Sequence, residues 1–214
     1  MTRRDGGEDA TERRAHWEHV YHTRQSHEVS WFQREPTRSL ALLTEAGVGP
    51  TSAIVDVGGG DSTLVDALVA RGFRDVTVLD VSAAALARAR ARLGAAGDAV
   101  TWIEADVTRA ALPAARFDAW HDRAAFHFLT DPADRARYVA AARDALRPGG
   151  TLVVATFAAD GPTRCSGLDV ARYDADALAR AFGDDFALLR GDREVHHTPA
   201  GAEQRFTYAV LRRR

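Results

Sequence analysis

"IVDVGGGDSTL", residues 54–64, passes from apolar β-branched residues to an acid, three consecutive glycines, a second acid, and then a serine and a threonine. An apolar run that ends in glycines reads as a strand entering a tight turn, and the helical pattern at 62–71 completes a strand–turn–helix unit. Such a turn bares backbone amides at a helix N-terminus, and a carboxylate about 20 residues further along takes ribose hydroxyls. Asp80, closing "VTVLD", stands at that distance from Gly60. A nucleoside-type ligand is therefore expected. Gly58 and Gly60 fit the first two glycines of the dinucleotide pattern, but its third position holds Thr63. Asp56, just before the turn, would repel a pyrophosphate and attract a sulfonium or an ammonium. Asp106 in "WIEADV" ends the third expected strand, so three strand ends each carry an acid. Any one of them also suits capping of the next helix; the three together favour a ligand.

Outward from the glycine turn, short β-branched runs alternate with longer alanine- and arginine-rich stretches of helical period. This is the pattern of a parallel sheet covered by helices on both faces. Strands are expected at 53–57, 75–79, 99–104, 117–121 and 151–157, and helices at 62–71, 83–93 and 132–146, the last stopped by "RPGG" at 147–150. A loop at 158–167 and a helix at 174–182 follow. Two more strands, 186–191 and 204–211, suggest an antiparallel pair added to the sheet. Helices are expected at 11–24 and 36–46, ahead of the sheet, and the charged start at 1–14 is expected to fray. The predicted fold is α/β, a three-layer Rossmann-like sheet, mostly parallel with a C-terminal antiparallel strand pair. Residues 1–50 are assigned to a helical lid or extension and 51–214 to the binding domain.

Composition narrows the function classes. The chain has 214 residues, 46% hydrophobic and 27% charged, enough for one well-buried domain. A net charge of −2 and a pI near 6.4 offer no general attraction to phosphate backbones, so a nucleic-acid partner is not expected. The single Cys165 rules out an intramolecular disulfide, and no secretory signal or run of 18 or more apolar residues stands out. A cytoplasmic protein without a membrane partner, monomer or homodimer, is the expectation.

Residues 54–62, 76–82, 102–107, 117–130 and 146–151 resemble, in order and spacing, the successive motifs of class I S-adenosylmethionine-dependent methyltransferases. The resemblance implies S-adenosyl-L-methionine as cofactor, a molecule carrying both a sulfonium and an ammonium. By it, Gly58 and Gly60 face the methionine part, Asp80 with Val81 holds the ribose, and Asp106 with Val107 frames the adenine. The family's usual third glycine is Ser62 here, a variant similar to small lysine methyltransferases that modify an elongation factor or citrate synthase. "HWEHVYHTRQSHEVSWFQ" at 16–33 resembles their N-terminal signature, and "FDAWHDRAAFHFL" at 117–129 resembles both that group and thiopurine methyltransferase.

Methyl transfer from a sulfonium is an in-line displacement, served mainly by alignment and exclusion of water. The acceptor is expected to enter after the fourth strand, within range of His121, Asp122, Arg123, Phe126 and His127. Asp122 and His127 are the candidate catalytic groups, with helix capping and core packing as their structural alternatives. His121 and Trp31 are candidates for cofactor contact, Trp31 with Phe32 as an aromatic lid or a staple. Arg123, Phe126, Arg164, Tyr173 and His196 are candidates for acceptor contact, whereas Trp17 and Tyr21 look core-facing. His16, His19 and His22 recur at helical spacing without completing a ligand set, so no metal is expected. The expected activity is transfer to a nitrogen or sulfur atom of a small molecule, with a protein lysine as alternative. An NAD(P)-dependent oxidoreductase and a non-catalytic cofactor-binding protein are the readings from other classes.

Overall fold

The computed structural model describes residues 6–214 and builds one seven-stranded sheet in the order β3-β2-β1-β4-β5-β9-β8. The strands are β1 (Ala53–Val57), β2 (Asp75–Asp80), β3 (Val100–Glu104), β4 (Phe117–Arg123), β5 (Leu146–Phe157), β8 (Phe186–His197) and β9 (Glu203–Arg213). A separate two-residue hairpin joins β6 (Arg164–Cys165) to β7 (Leu168–Asp169). β1 to β5 run parallel, and β9 runs antiparallel between β5 and β8. β1 is buried along its whole length, as strands covered on both faces must be, which explains why "AIVDV" reads as a continuous apolar run broken only by Asp56. β8 at the sheet edge instead carries Arg190, Asp192, Arg193 and Glu194, charges that discourage pairing with another chain.

Helices α2 (Thr37–Glu45), α3 (Leu64–Ala70) and α4 (Ala83–Leu93) cover one face, where Leu40, Leu43, Leu64, Leu68 and Leu86 pack on Ile54, Val78 and Ala119. α5 (Pro132–Ala145) and α6 (Ala175–Phe182) cover the other, with Tyr138, Phe182 and Phe126 around Trp120 and Leu152. Local chemistry marks the helix starts: Ser82, Asp131 and Asp174 each accept a backbone N–H of the first turn, and Pro132 opens α5. α1 (Gly6–Thr23) lies across the C-terminal ends of β2 and β3, tied to α4 by Glu18, whose carboxylate accepts the Ala83 amide at 2.5 Å.

Several expectations shift, and the strands expected at 117–121 and 186–191 run on to Arg123 and His197. Residues 6–14, expected to fray, belong to α1, and only 1–5 lie outside the described residues. "RPGG" does not separate α5 from the next strand: β5 starts at Leu146, with Gly149 at φ +78° and a register shift against β4 accommodating the bend. The third strand starts at Val100, after a 3-10 turn over Gly94–Ala99. The stretch 158–167, read as loop, contains β6.

Candidate active site

The strand order reverses between β1 and β4, and the crevice at such a switch point is where open α/β sheets bind ligands. Two adjoining cavities lie there. The first is lined by Val57, Gly58, Asp80, Val81, Asp106 and Val107 at the strand ends and by Trp17, Tyr21, Trp31 and Phe128 opposite them. The second lies beneath the glycine turn and is lined by Asp56, Gly59, Ser62, Ser39 and His121, among others. Tyr21, Trp31, Gly58 and Arg123 border both.

The glycines are required by what surrounds them. A Cβ on Gly58, at φ +65°, would stand 2.5 Å from the Ala125 Cβ; on Gly59, 2.7 Å from Asp56 Oδ2; on Gly60, at φ +41°, 2.8 Å from Asp80 Oδ2. Cleared of side chains, the turn brings backbone against two carboxylates. Ser62 bends the chain into α3, its N–H donating to the Gly59 carbonyl at 2.7 Å and its Oγ accepting from Leu64 at 3.1 Å. Asp61 accepts from Ser26 and pairs with Arg92, which pins the loop from outside.

Asp80 is buried, and loss of water, aggravated by Asp56, pushes its carboxyl up to about 7, although the Ser82 amide donates to it at 2.8 Å. The same burial, with Asp80 close by, raises the Tyr21 hydroxyl well above its ordinary value. Asp56 and Asp106 each keep one buried oxygen, Oδ2, without a hydrogen-bond donor. Arg13 of α1 approaches Asp106 Oδ2 at 3.6 Å while donating to Asp134 at 2.7 Å. Buried acceptors without donors, beside backbone that only glycine permits, suit a ligand that brings its own N–H groups and hydroxyls. S-adenosylmethionine is such a ligand, and these residues fit it.

Parity along β4 separates the expected acceptor residues. Ala119, His121 and Arg123 face α2 and the cavities; Trp120 and Asp122 face α5. Asp122 therefore does not reach the cavity. It accepts the Ala125 and Phe126 amides at 2.9 and 3.0 Å and the Tyr138 hydroxyl at 2.5 Å, and burial lifts it to about 6. It caps the turn that carries Ala124 and Ala125 into the cavity wall. His127 is fully buried, its Nδ1 accepting the Phe157 amide at 3.2 Å, and burial with Arg123 nearby lowers it to about 3. A neutral imidazole packed between Phe128 and Phe157 is a core group.

Phe126 is likewise interior, against Tyr138 and Phe182, and Tyr173 packs on Phe126 rather than in the cavity. His196 is buried with Nε2 at 2.8 Å from the Ser30 carbonyl. Arg164 is exposed, donating to Gly167 and pairing with Asp169, because the two-residue strand turns its neighbour Cys165 inward instead. Cys165 lines the first cavity, its thiol pushed up to about 11 by burial. Arg123 stays at the cavity: Nε donates to the Tyr208 hydroxyl at 3.1 Å, Nη1 to the Trp31 carbonyl at 3.1 Å, and the guanidinium stacks 4.3 Å from the Phe206 centroid. The residues that sequence reasoning left out of the site are Trp17, Tyr21, Phe128 and Ser39. The one-turn spacing of Trp17 and Tyr21 is that of a core-facing stripe, and only the crossing of α1 over the strand ends brings them to the cavity.

Residues 54–150 match a family described as a methyltransferase domain. Uncharacterised methyltransferases of Mycobacterium tuberculosis and Mycobacterium bovis are 38% identical over 107 residues, which is 50% of this chain and 51% of theirs. The chain thus spans about half the length of the curated relatives it matches. Among solved structures, a Burkholderia thailandensis 1,6-didemethyltoxoflavin-N1-methyltransferase, with 1,6-didemethyltoxoflavin and S-adenosylhomocysteine bound, aligns with TM-score 0.73 and 19% identity over 100% of this chain and 92% of that one. A protein solved in work on the conversion of a disulfide bond into a thioacetal group during echinomycin biosynthesis aligns with TM-score 0.76 and 20% identity, covering 92% of this chain and 91% of that one. The [4+2]-cyclase SpnF aligns with TM-score 0.68 and 15% identity, over 93% and 91%. At these identities the structural likeness establishes the fold.

Proposed function

We propose that this chain, which carries a class I S-adenosylmethionine-dependent methyltransferase domain, transfers a methyl group from S-adenosylmethionine to a nitrogen or sulfur atom of a small molecule. The observation that carries the reading is the glycine turn pressed between Asp56 and Asp80, a cradle for a cationic amino-acid end joined to a ribose. When bound, the cofactor supplies an electrophilic methyl on a sulfonium. Asp80 would accept the ribose hydroxyls, Asp106 would take the adenine amino group, and Asp56 would face the ammonium. The aromatic side chains of Trp17, Tyr21, Trp31 and Phe128 line the first cavity and pack edge-to-face on one another, an apolar wall that would exclude water around the sulfonium.

The choice of acceptor atom rests on where the candidate bases lie among the described residues: neither Asp122 nor His127 lines either cavity. Asp122 and His127 point away from the cavity, and the cavity's own acids occupy the strand ends. An oxygen acceptor needs its proton taken; a neutral amine or a thiolate does not. Small-molecule acceptors are favoured by the neighbours, one of which is a 1,6-didemethyltoxoflavin-N1-methyltransferase. SpnF keeps open a second reading, cofactor binding in the service of another reaction, because the same fold carries a cyclase there. Incubation with methyl-labelled S-adenosylmethionine and a fractionated cell extract tests the proposal. Label is expected in the low-molecular-weight fraction; label in protein would favour the lysine reading, and binding without transfer would favour the second.

A further inference from the structure

Beneath the glycine turn, three polar side chains form a buried chain through an otherwise apolar layer. Asp56 and His121 are paired neighbours in the β1–β4 ladder, so their side chains leave the sheet on the same face. His121 Nδ1 lies 2.7 Å from Asp56 Oδ1, and His121 Nε2 lies 2.8 Å from Ser39 Oγ in the first turn of α2. Ser39, Asp56 and His121 are 1%, 2% and 3% exposed. Leu40, Leu43, Ile54 and Ala119 on the same elements belong to one buried apolar cluster, and hydrocarbon in place of the polar chain would carry no desolvation cost.

The arrangement uses only one side of the carboxylate. Oδ1 takes the imidazole N–H, while Oδ2 has no donor and is the atom that a Cβ on Gly59 would meet at 2.7 Å. A carboxylate free to rotate would exchange its oxygens; one held by an imidazole that is itself held by a serine does not. We infer that His121, anchored by Ser39, is a positioning residue that fixes Asp56 so that Oδ2 faces the cofactor's ammonium across the glycine turn. The inference rests on the proposed cofactor and adds the device that discriminates its amino-acid end. Neither Ser39 nor His121 touches the reacting atoms.

The two amides that resemble imidazole separate this role from a packing role. Asparagine places its N–H near Nδ1 and reaches Asp56; glutamine places its N–H near Nε2 and reaches Ser39 instead. Affinities of wild type, H121N, H121Q and S39A are measured by calorimetry for S-adenosylhomocysteine and for 5′-methylthioadenosine, which lacks the amino-acid end. H121Q is expected to lose at least about tenfold in affinity for S-adenosylhomocysteine, the scale of one charge-assisted hydrogen bond. It should bind 5′-methylthioadenosine as wild type does. H121N is expected to retain most of the discrimination, and S39A to lose part of it. Equal losses for both ligands, or indistinguishable H121N and H121Q, would overturn the inference while leaving the cofactor assignment standing. A wild-type protein that binds neither ligand would remove the assignment and the inference together.

Discussion

Burial lifts the Asp80 carboxyl to about 7, with Asp56 adding to the effect and the Ser82 and Val81 amides only partly offsetting it. A folded-state value above the unfolded one means that the group favours the fold fully below about 4, and that this contribution is lost as pH rises towards 7. Asp80 therefore weakens the protein at the pH where its ionised form is needed to accept ribose hydroxyls. Asp80→Asn keeps an acceptor for the Ser82 amide while removing the charge. Its melting temperature is expected to rise relative to wild type as pH increases from 4 to 7 and to level off above, as read by thermal unfolding across that range. A gain that shrinks with pH would contradict the burial argument.

At the scale of elements, β4 decides which residues reach the cavity. "FDAWHDR" is buried on both faces, so no alternation of apolar and polar residues reveals which face the cavity occupies. His121, Asp122 and Arg123 looked equivalent in the sequence for that reason. The ladder against β1 sends His121 and Arg123 to the cavity side and Asp122 to α5, where it closes the 122–126 turn. Asp122→Asn is expected to cost about 1–3 kcal/mol of stability, the range for a disturbed buried acceptor. It should leave the pH profile of methyl transfer unchanged. A profile that loses an ionisation would return Asp122 to the chemistry. The β6–β7 hairpin is the same problem in miniature: whether Arg164 or Cys165 turns inward depends on a two-residue strand with no periodicity to read.

Across the whole molecule, the parallel sheet was legible because a βαβ layout forces apolar strands and helical spacers to alternate, and the glycine turn because close backbone approach excludes side chains. Asp56, Asp80 and Asp106 were legible as strand-end acids. Less legible were contacts made over long sequence separations: α1 laid across the strand ends, Ser39 beneath His121, and the Arg123 stack on Phe206. These depend on how elements meet rather than on any local pattern. The cofactor cradle combines the two, built by local sequence and walled by distant aromatics. Calorimetric titration of the wild-type chain with S-adenosylhomocysteine, repeated on Asp80→Ala, tests it most directly. One site per chain, insensitive to added NAD and lost in the variant, is the predicted result; absent binding, or equal binding by the variant, would contradict the account.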